Sequence, residues 1–112
     1  MSGAGHDRLA TRSVIERYLQ CWLESDRAGA RSLLSDEMRF RSPRESYYGA
    51  DAFLDACWCH ADRFDAIEIL HGIYDEHAGY VVYRMEDLVC GELIHVSGGK
   101  IDTIHVTFDP TA

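Results

Sequence analysis

Tyr80-Val81-Val82-Tyr83-Arg84-Met85-Glu86-Asp87-Leu88-Val89-Cys90-Gly91-Glu92-Leu93-Ile94-His95-Val96-Ser97-Gly98-Gly99-Lys100-Ile101-Asp102-Thr103-Ile104-His105-Val106-Thr107-Phe108 is β-patterned throughout, with breaks at Glu86-Asp87 and Ser97-Gly98-Gly99. Side chains alternate between the two faces of a strand, so the register of each hairpin determines which residues meet. A two-residue turn at Glu86-Asp87 pairs Met85 with Leu88, Tyr83 with Cys90 and Val81 with Glu92. A three-residue loop at Ser97-Gly98-Gly99 pairs Val96 with Lys100, Ile94 with Asp102 and Glu92 with Ile104. One face then collects Val81, Tyr83, Met85, Leu88, Cys90, Glu92, Ile94, Ile104, Val106 and Phe108. The opposite face collects Val82, Arg84, Val89, Gly91, Leu93, His95, Thr103, His105 and Thr107. The first face is apolar apart from a tyrosine, a cysteine and one carboxylate.

Upstream, Ile67, Ile69, His71 and Ile73 alternate with Glu68, Leu70, Gly72 and Tyr74, which reads as another strand. If its isoleucines share the apolar face, His71 joins them. Adjacent strands lie about 4.8 Å apart, so His71 and Glu92 would flank a gap of roughly 10 Å, wide enough for a small ligand. Glu76-His77-Ala78-Gly79 reads as the following turn. Earlier still, Val14, Ile15, Tyr18, Leu19 and Trp22 recur at helical spacing within a helix expected over 7–24. Asp26 is placed to cap a short helix over 28–34. Ser35-Asp36-Glu37 reads as a turn, and Met38 to Pro43 as a short strand. A third helix is expected over 50–63, with Phe53, Cys57, His60, Ala61 and Phe64 in one stripe and Leu54 and Trp58 beside it. Helices followed by a run of strands imply one α+β domain, 1–112, with an antiparallel meander curling around the helices. Residues 1–7 are expected to be disordered.

The 112 residues suffice for one ordinary core without staples. Eleven Lys and Arg against 19 Asp and Glu leave a net charge of −8, which disfavours a nucleic-acid partner. Apolar runs are too short to span a membrane, and the first residues carry no secretory signal, so a cytoplasmic protein with reduced thiols is expected. Cys57-Trp58-Cys59-His60 invites a metal reading. On a helix, however, Cys57 and Cys59 point about 200° apart, and Cys57 with His60 supplies only two ligands. No metal and no cofactor are expected.

Glu92 is the most informative residue, because a carboxylate on an apolar face is costly unless paired or neutralised. Burial would raise its pKa into a range useful for proton transfer.

The order of several short motifs then resembles the NTF2-like superfamily, in its SnoaL-like and ketosteroid-isomerase-like branch. They are Arg17-Tyr18-Leu19 with Trp22, Asp26, Leu33-Leu34-Ser35-Asp36-Glu37, Met38 to Pro43, Tyr48-Gly49, Gly99-Lys100-Ile101 and Phe108-Asp109. The resemblance implies a conical, curved antiparallel sheet wrapped around about three N-terminal helices, with a ligand pocket inside. It also implies a homodimer through the sheet's outer face. Carried over residue by residue, Tyr18 matches the first-helix tyrosine of the ketosteroid isomerases' oxyanion hole and Glu92 falls near their late-strand acid. Ser42 stands where those enzymes place an aspartate base, and serine cannot do that work unaided; the oxyanion-hole pattern itself is a known example of a carboxylic acid kept neutral.

Two functions are compatible with these residues. One is a cofactor-free isomerase, cyclase or dehydratase acting on a small apolar or aromatic carbonyl compound, with Glu92, His71 and Tyr18 as catalytic groups. Trp22, Phe40, Ser42, Phe53, Cys57, Tyr83, Met85, Cys90, Val106 and Phe108 would then contact the substrate. The other is a ligand-binding or dimerisation module with the same interior and no turnover.

Overall fold

The computed structural model describes residues 8–59, 61 and 67–108. Within them the chain forms α1 (Arg8–Leu23), α2 (Arg27–Ser32), β1 (Leu34–Arg41), β2 (Ser46–Tyr48) and α3 (Ala50–Cys57). Four longer strands follow: β3 (Glu68–Tyr74), β4 (Ala78–Met85), β5 (Leu88–Ser97) and β6 (Lys100–Phe108). The expected α+β arrangement is present, with a curved, unclosed sheet in the order β2-β1-β6-β5-β4-β3. Neighbouring strands run antiparallel except β1 and β6, which are parallel, so the sheet is not the pure meander that the strand pattern suggested.

The helices lie against the concave side. Ile15, Tyr18, Leu19 and Trp22 recur every three or four residues along α1, and all are buried. Asp26 caps α2 as its position implied, its Oδ1 accepting from the Gly29 amide at 2.9 Å. Arg31 ties α2 to its neighbours through Asp36 at 2.7 Å and Asp51 at 2.9 Å, both of them exposed carboxylates. Gly79 lets α1 approach the sheet, since a Cβ there would lie 2.7 Å from Ile15 Cδ1 and 2.6 Å from the Tyr74 ring.

Several expectations are corrected. Ser35-Asp36-Glu37 is not a turn but part of β1, held by parallel pairing of Leu34 with Ile101. β2 has no counterpart in the sequence reading; three residues are too few to show a period. α3 ends at Cys57 rather than near residue 63. His60, Phe64 and residues 1–7 lie outside the described residues.

The Glu86-Asp87 hairpin has the expected register, with Val81 opposite Glu92 and Tyr83 opposite Cys90. The next loop is two residues long, Gly98-Gly99, both at positive φ, as a hairpin turn of this length requires. A shift between His95 and Val96 moves the rest of the ladder, so Glu92 faces Val106 instead of Ile104. The total displacement is two residues, an even number, and the two faces of β5 and β6 keep their composition. Lys100, Ile101 and Asp102 change roles, with Ile101 opposite Val96 and buried in the core.

β3 departs further. A bulge between Ile69 and His71 reverses the alternation, so His71 pairs with Val82 and Ile73 with Tyr80 on the outer face. Ile73 is 73% exposed. His71 is therefore not on the concave side.

Candidate functional site

The site is built on the concave face of β4 and β5, beneath α1, with α3 packed on the neighbouring β1 and β2. Alternation along β5 aims Cys90, Glu92 and Ile94 inward, and cross-strand pairing sets Val81 and Tyr83 of β4 beside them. Glu92 is 7% exposed, and with Thr11 it makes up the buried polar or charged side chains among the described residues. Thr11 is accounted for locally, its hydroxyl donating to the Glu76 carbonyl at 2.8 Å. That leaves Glu92 as the chemically unusual group of the interior. Its Oε2 accepts a short hydrogen bond from the Tyr83 hydroxyl.

The electrostatics follow from burial. Desolvation raises the Glu92 carboxyl above the usual glutamate range, and the Tyr83 hydrogen bond opposes it only partly. The Tyr83 phenol is pushed far up by burial, then by the adjacent Glu92 charge and its hydrogen bond. Tyr18 is raised well above its ordinary value by burial and then by Glu92, with a side-chain hydrogen bond from Trp22 as a partial offset. The thiols of Cys57 and Cys90 are each pushed up to about 11, again chiefly by burial and with a contribution from Glu92. Tyr83 hydrogen-bonds Glu92, and Cys90 shares its inward face of β5. Thiols raised this far are poor nucleophiles, so the cysteines act here as small apolar groups.

An aromatic series connects this centre to the rim. Tyr47 stacks on Phe40 at 5.9 Å between ring centroids and Phe40 on Phe53 at 4.7 Å. Phe53 meets Trp22 at 6.3 Å, and Trp22 meets Trp58 at 4.3 Å and Tyr18 at 6.4 Å. Phe40, Tyr47, Cys57, Trp58, Met85 and Leu88 are partly buried against the core, so they form its margin. Val106 is buried opposite Glu92. Phe108 ends β6 opposite Cys90, and its side chain lies outside what the structure describes.

Two of the expected site residues lie elsewhere. His71 sits exposed on the outer face of an edge strand, turned there by the β3 bulge, and cannot oppose Glu92 across the interior. Ser42 organises the β1–β2 turn: its Oγ accepts from the Glu45 amide at 3.1 Å and the Arg44 amide at 3.3 Å. A hydroxyl so engaged serves backbone geometry rather than proton abstraction. Conversely, Tyr47 and Trp58 join the aromatic series without having been singled out as ligand contacts. Trp58 already lay beside the α3 stripe, whereas Tyr47 belongs to the unforeseen β2.

Among the described residues, no group of three or more His, Cys, Asp or Glu is arranged to hold a metal ion. The four cysteines are free. A shallow surface depression lined by Leu9, Arg12, Ser13, Glu16, Arg17 and Gln20 runs along the solvent side of α1 and contains none of the groups above.

No protein-family model and no curated protein matches the chain. Solved structures do. An NTF2-like protein of unknown function from Cytophaga hutchinsonii superposes with a TM-score of 0.74 at 17% identity, covering 90% of this chain and 91% of that one. A ketosteroid isomerase-like protein from Kribbella flavida gives 0.75 at 14% identity, over 91% and 79% of the two chains. A SnoaL-like protein of unknown function from Burkholderia thailandensis gives 0.75 at 15% identity, over 90% and 95%.

Proposed function

Starting from an NTF2-like fold, we propose that the protein holds a small, largely apolar carbonyl compound in its concave interior. There Glu92 moves a proton on the carbon next to the carbonyl. The observation that carries this reading is Glu92 itself, a buried carboxyl with a raised pKa, hydrogen-bonded to Tyr83. As base, its carboxylate takes the α-proton while the electron pair moves onto the carbonyl oxygen. As acid, it returns the same proton to a different atom, so isomerisation needs no second reactant. The Tyr18 hydroxyl supports the developing enolate oxygen, a role in which a preorganised donor away from water is most effective. Trp22, Phe40, Phe53 and Trp58 supply the apolar wall. No cofactor enters this chemistry.

A second reading is favoured by Ser42 and His71. Neither stands opposite Glu92, so among the described residues neither of the two expected positions supplies a second acid–base group. That arrangement also suits a non-catalytic module that binds the same ligand. Glu92→Gln separates the two: an enzyme loses turnover and keeps ligand, whereas a binder has no turnover to lose.

The outer sheet face supports a homodimer. Ile73, Tyr80 and Leu93 pair in register across three adjacent strands, and each is exposed, Leu93 by 43%. A contiguous apolar row of this kind marks an association surface. Leu93→Arg is expected to turn a dimer into a monomer in sedimentation velocity with an unchanged circular dichroism spectrum. A wild type that sediments as a monomer at any accessible concentration rules the dimer out. We place the protein in the cytoplasm, where its four free cysteines would stay reduced. Among the described residues, no helix is long and apolar enough to cross a membrane.

A further inference from the structure

Every histidine among the described residues lies on the outer face of the sheet or against it. His71, His95 and His105 are exposed on β3, β5 and β6, and the His77 ring stacks on His95 with 6.4 Å between centroids. Their surroundings differ. His95 Nδ1 is 2.9 Å from Asp102 Oδ1, so a proton on that ring meets a carboxylate. His77 adjoins Asp75, whose Oδ1 accepts the His77 and Ala78 amides at 2.7 and 2.8 Å. His71 shares β3 with Glu68, which is bridged to Arg84 at 2.8 Å. His105 stands opposite Leu93 on β5 and Arg41 on β1, with Thr103 and Thr107 flanking it on its own strand. It therefore continues the row Ile73–Tyr80–Leu93 and ends it against a guanidinium. Arg39 lies in the adjacent row, over the Tyr48 ring at 5.7 Å. The carboxylates bordering this part of the face are engaged, Asp102 with His95 and Glu37 with the Tyr48 hydroxyl at 2.9 Å.

We propose that His105 makes association through this face pH-sensitive: two copies join while the His105 rings are neutral and separate when those rings take up protons. The proposal rests on the homodimer inferred above and names its regulation. In the monomer His105 is exposed, and water solvates the ring in either charge state. Under a second copy the ring becomes part of a covered apolar row. A neutral imidazole is tolerated there, whereas an imidazolium loses its hydration and is held beside Arg41. An isologous interface contains every residue twice, so the penalty enters twice. The dimer accordingly binds fewer protons than two monomers. Association then weakens as pH falls through the ordinary histidine range, about 8 to 5.

Analytical ultracentrifugation of the full chain from about pH 8 to about pH 5.5, at constant ionic strength, tests this, with circular dichroism at each pH to confirm the fold. The dimer dissociation constant is expected to rise at least about 30-fold over that range, because each of two imidazoles contributes up to about tenfold per pH unit below its titration. His105→Gln keeps a neutral polar side chain and is expected to hold the change below about fivefold. His105→Lys carries a permanent charge and is expected to dimerise at about pH 8 as weakly as wild type does at about pH 5.5. A wild-type dimer whose dissociation constant does not move with pH overturns the proposal and leaves the homodimer standing. A full response surviving in His105→Gln also overturns it, because another group then titrates. A wild type that is monomeric at about pH 8 defeats the homodimer, and the switch falls with it.

Discussion

Glu92→Gln is expected to lower turnover by about 10²–10⁴-fold, the usual contribution of a positioned general acid or base. In the same variant the folded state is expected to become more stable than wild type at neutral and alkaline pH. The amide nearly matches the carboxyl in shape and can still accept the Tyr83 hydrogen bond, so packing changes little. What disappears is the ionisation of Glu92. Its carboxyl is raised in the folded protein, mainly by burial, whereas in the unfolded chain it titrates near its ordinary value of about 4.3. Between those two values the folded state binds the proton and the unfolded state does not. Stability therefore falls as pH rises, by about 1.4 kcal/mol per unit, starting near the unfolded value and levelling off above the folded one. Below that window the difference between wild type and Glu92→Gln vanishes. Urea denaturation of both proteins from acid to mildly alkaline pH measures the window directly. A variant less stable than wild type at every pH contradicts a desolvated carboxyl. A variant with wild-type turnover leaves the ligand-binding reading in place of the enzyme.

Trp22→Ala is expected to cost about 3–5 kcal/mol, the range for deleting a large buried aromatic side chain. Trp22 is the junction of the aromatic series, touching Tyr18 on its own helix, Phe53 on α3 and Trp58 at the end of α3. Its removal opens a void between α1 and α3 that those three rings cannot all relax into. Small domains are stable by about 5–15 kcal/mol, so this single change removes a large share of the total. Trp22→Phe keeps one ring in place and should recover a good part of the loss. The urea midpoint reports both variants, and a midpoint for Trp22→Ala close to wild type would mean that the ring does not bridge the two helices.

How much of this was readable in advance depends on the range of the interactions involved. The β4–β5 hairpin was legible because strict alternation on both strands allows one register, and Tyr83 and Glu92 meet inside it. Glu92 stood out by the same logic, as the one charge on an apolar face. The β3 bulge was not legible: Ile67, Ile69 and Ile73 look inward-facing whichever side they occupy, and one extra residue between Ile69 and His71 reverses everything beyond it. That error placed His71 across from Glu92. β1 was truncated for a different reason. Its start is fixed by the parallel pairing of Leu34 with Ile101, more than 60 residues later in the chain, and nothing local in Ser35-Asp36-Glu37 announces a strand. Ser42 was read through family position, whereas its hydroxyl is occupied by the turn that follows it. Tyr47 joined the aromatic series only because β2 docks on β1, a three-residue pairing too short to leave a pattern.

The central claim is that one glutamate is buried beside Tyr83 with its carboxyl raised above the usual glutamate range by desolvation, and that it is the acid–base group of the interior. Carbon-13 labelling of the glutamate side chains, followed by NMR of the carboxyl carbons across a pH titration, tests it most directly. The account predicts one carboxyl titrating above the others, absent from spectra of Glu92→Gln. If every glutamate titrates together near about 4.3, Glu92 is an ordinary solvated carboxylate and the proposed chemistry has no acid–base group to perform it.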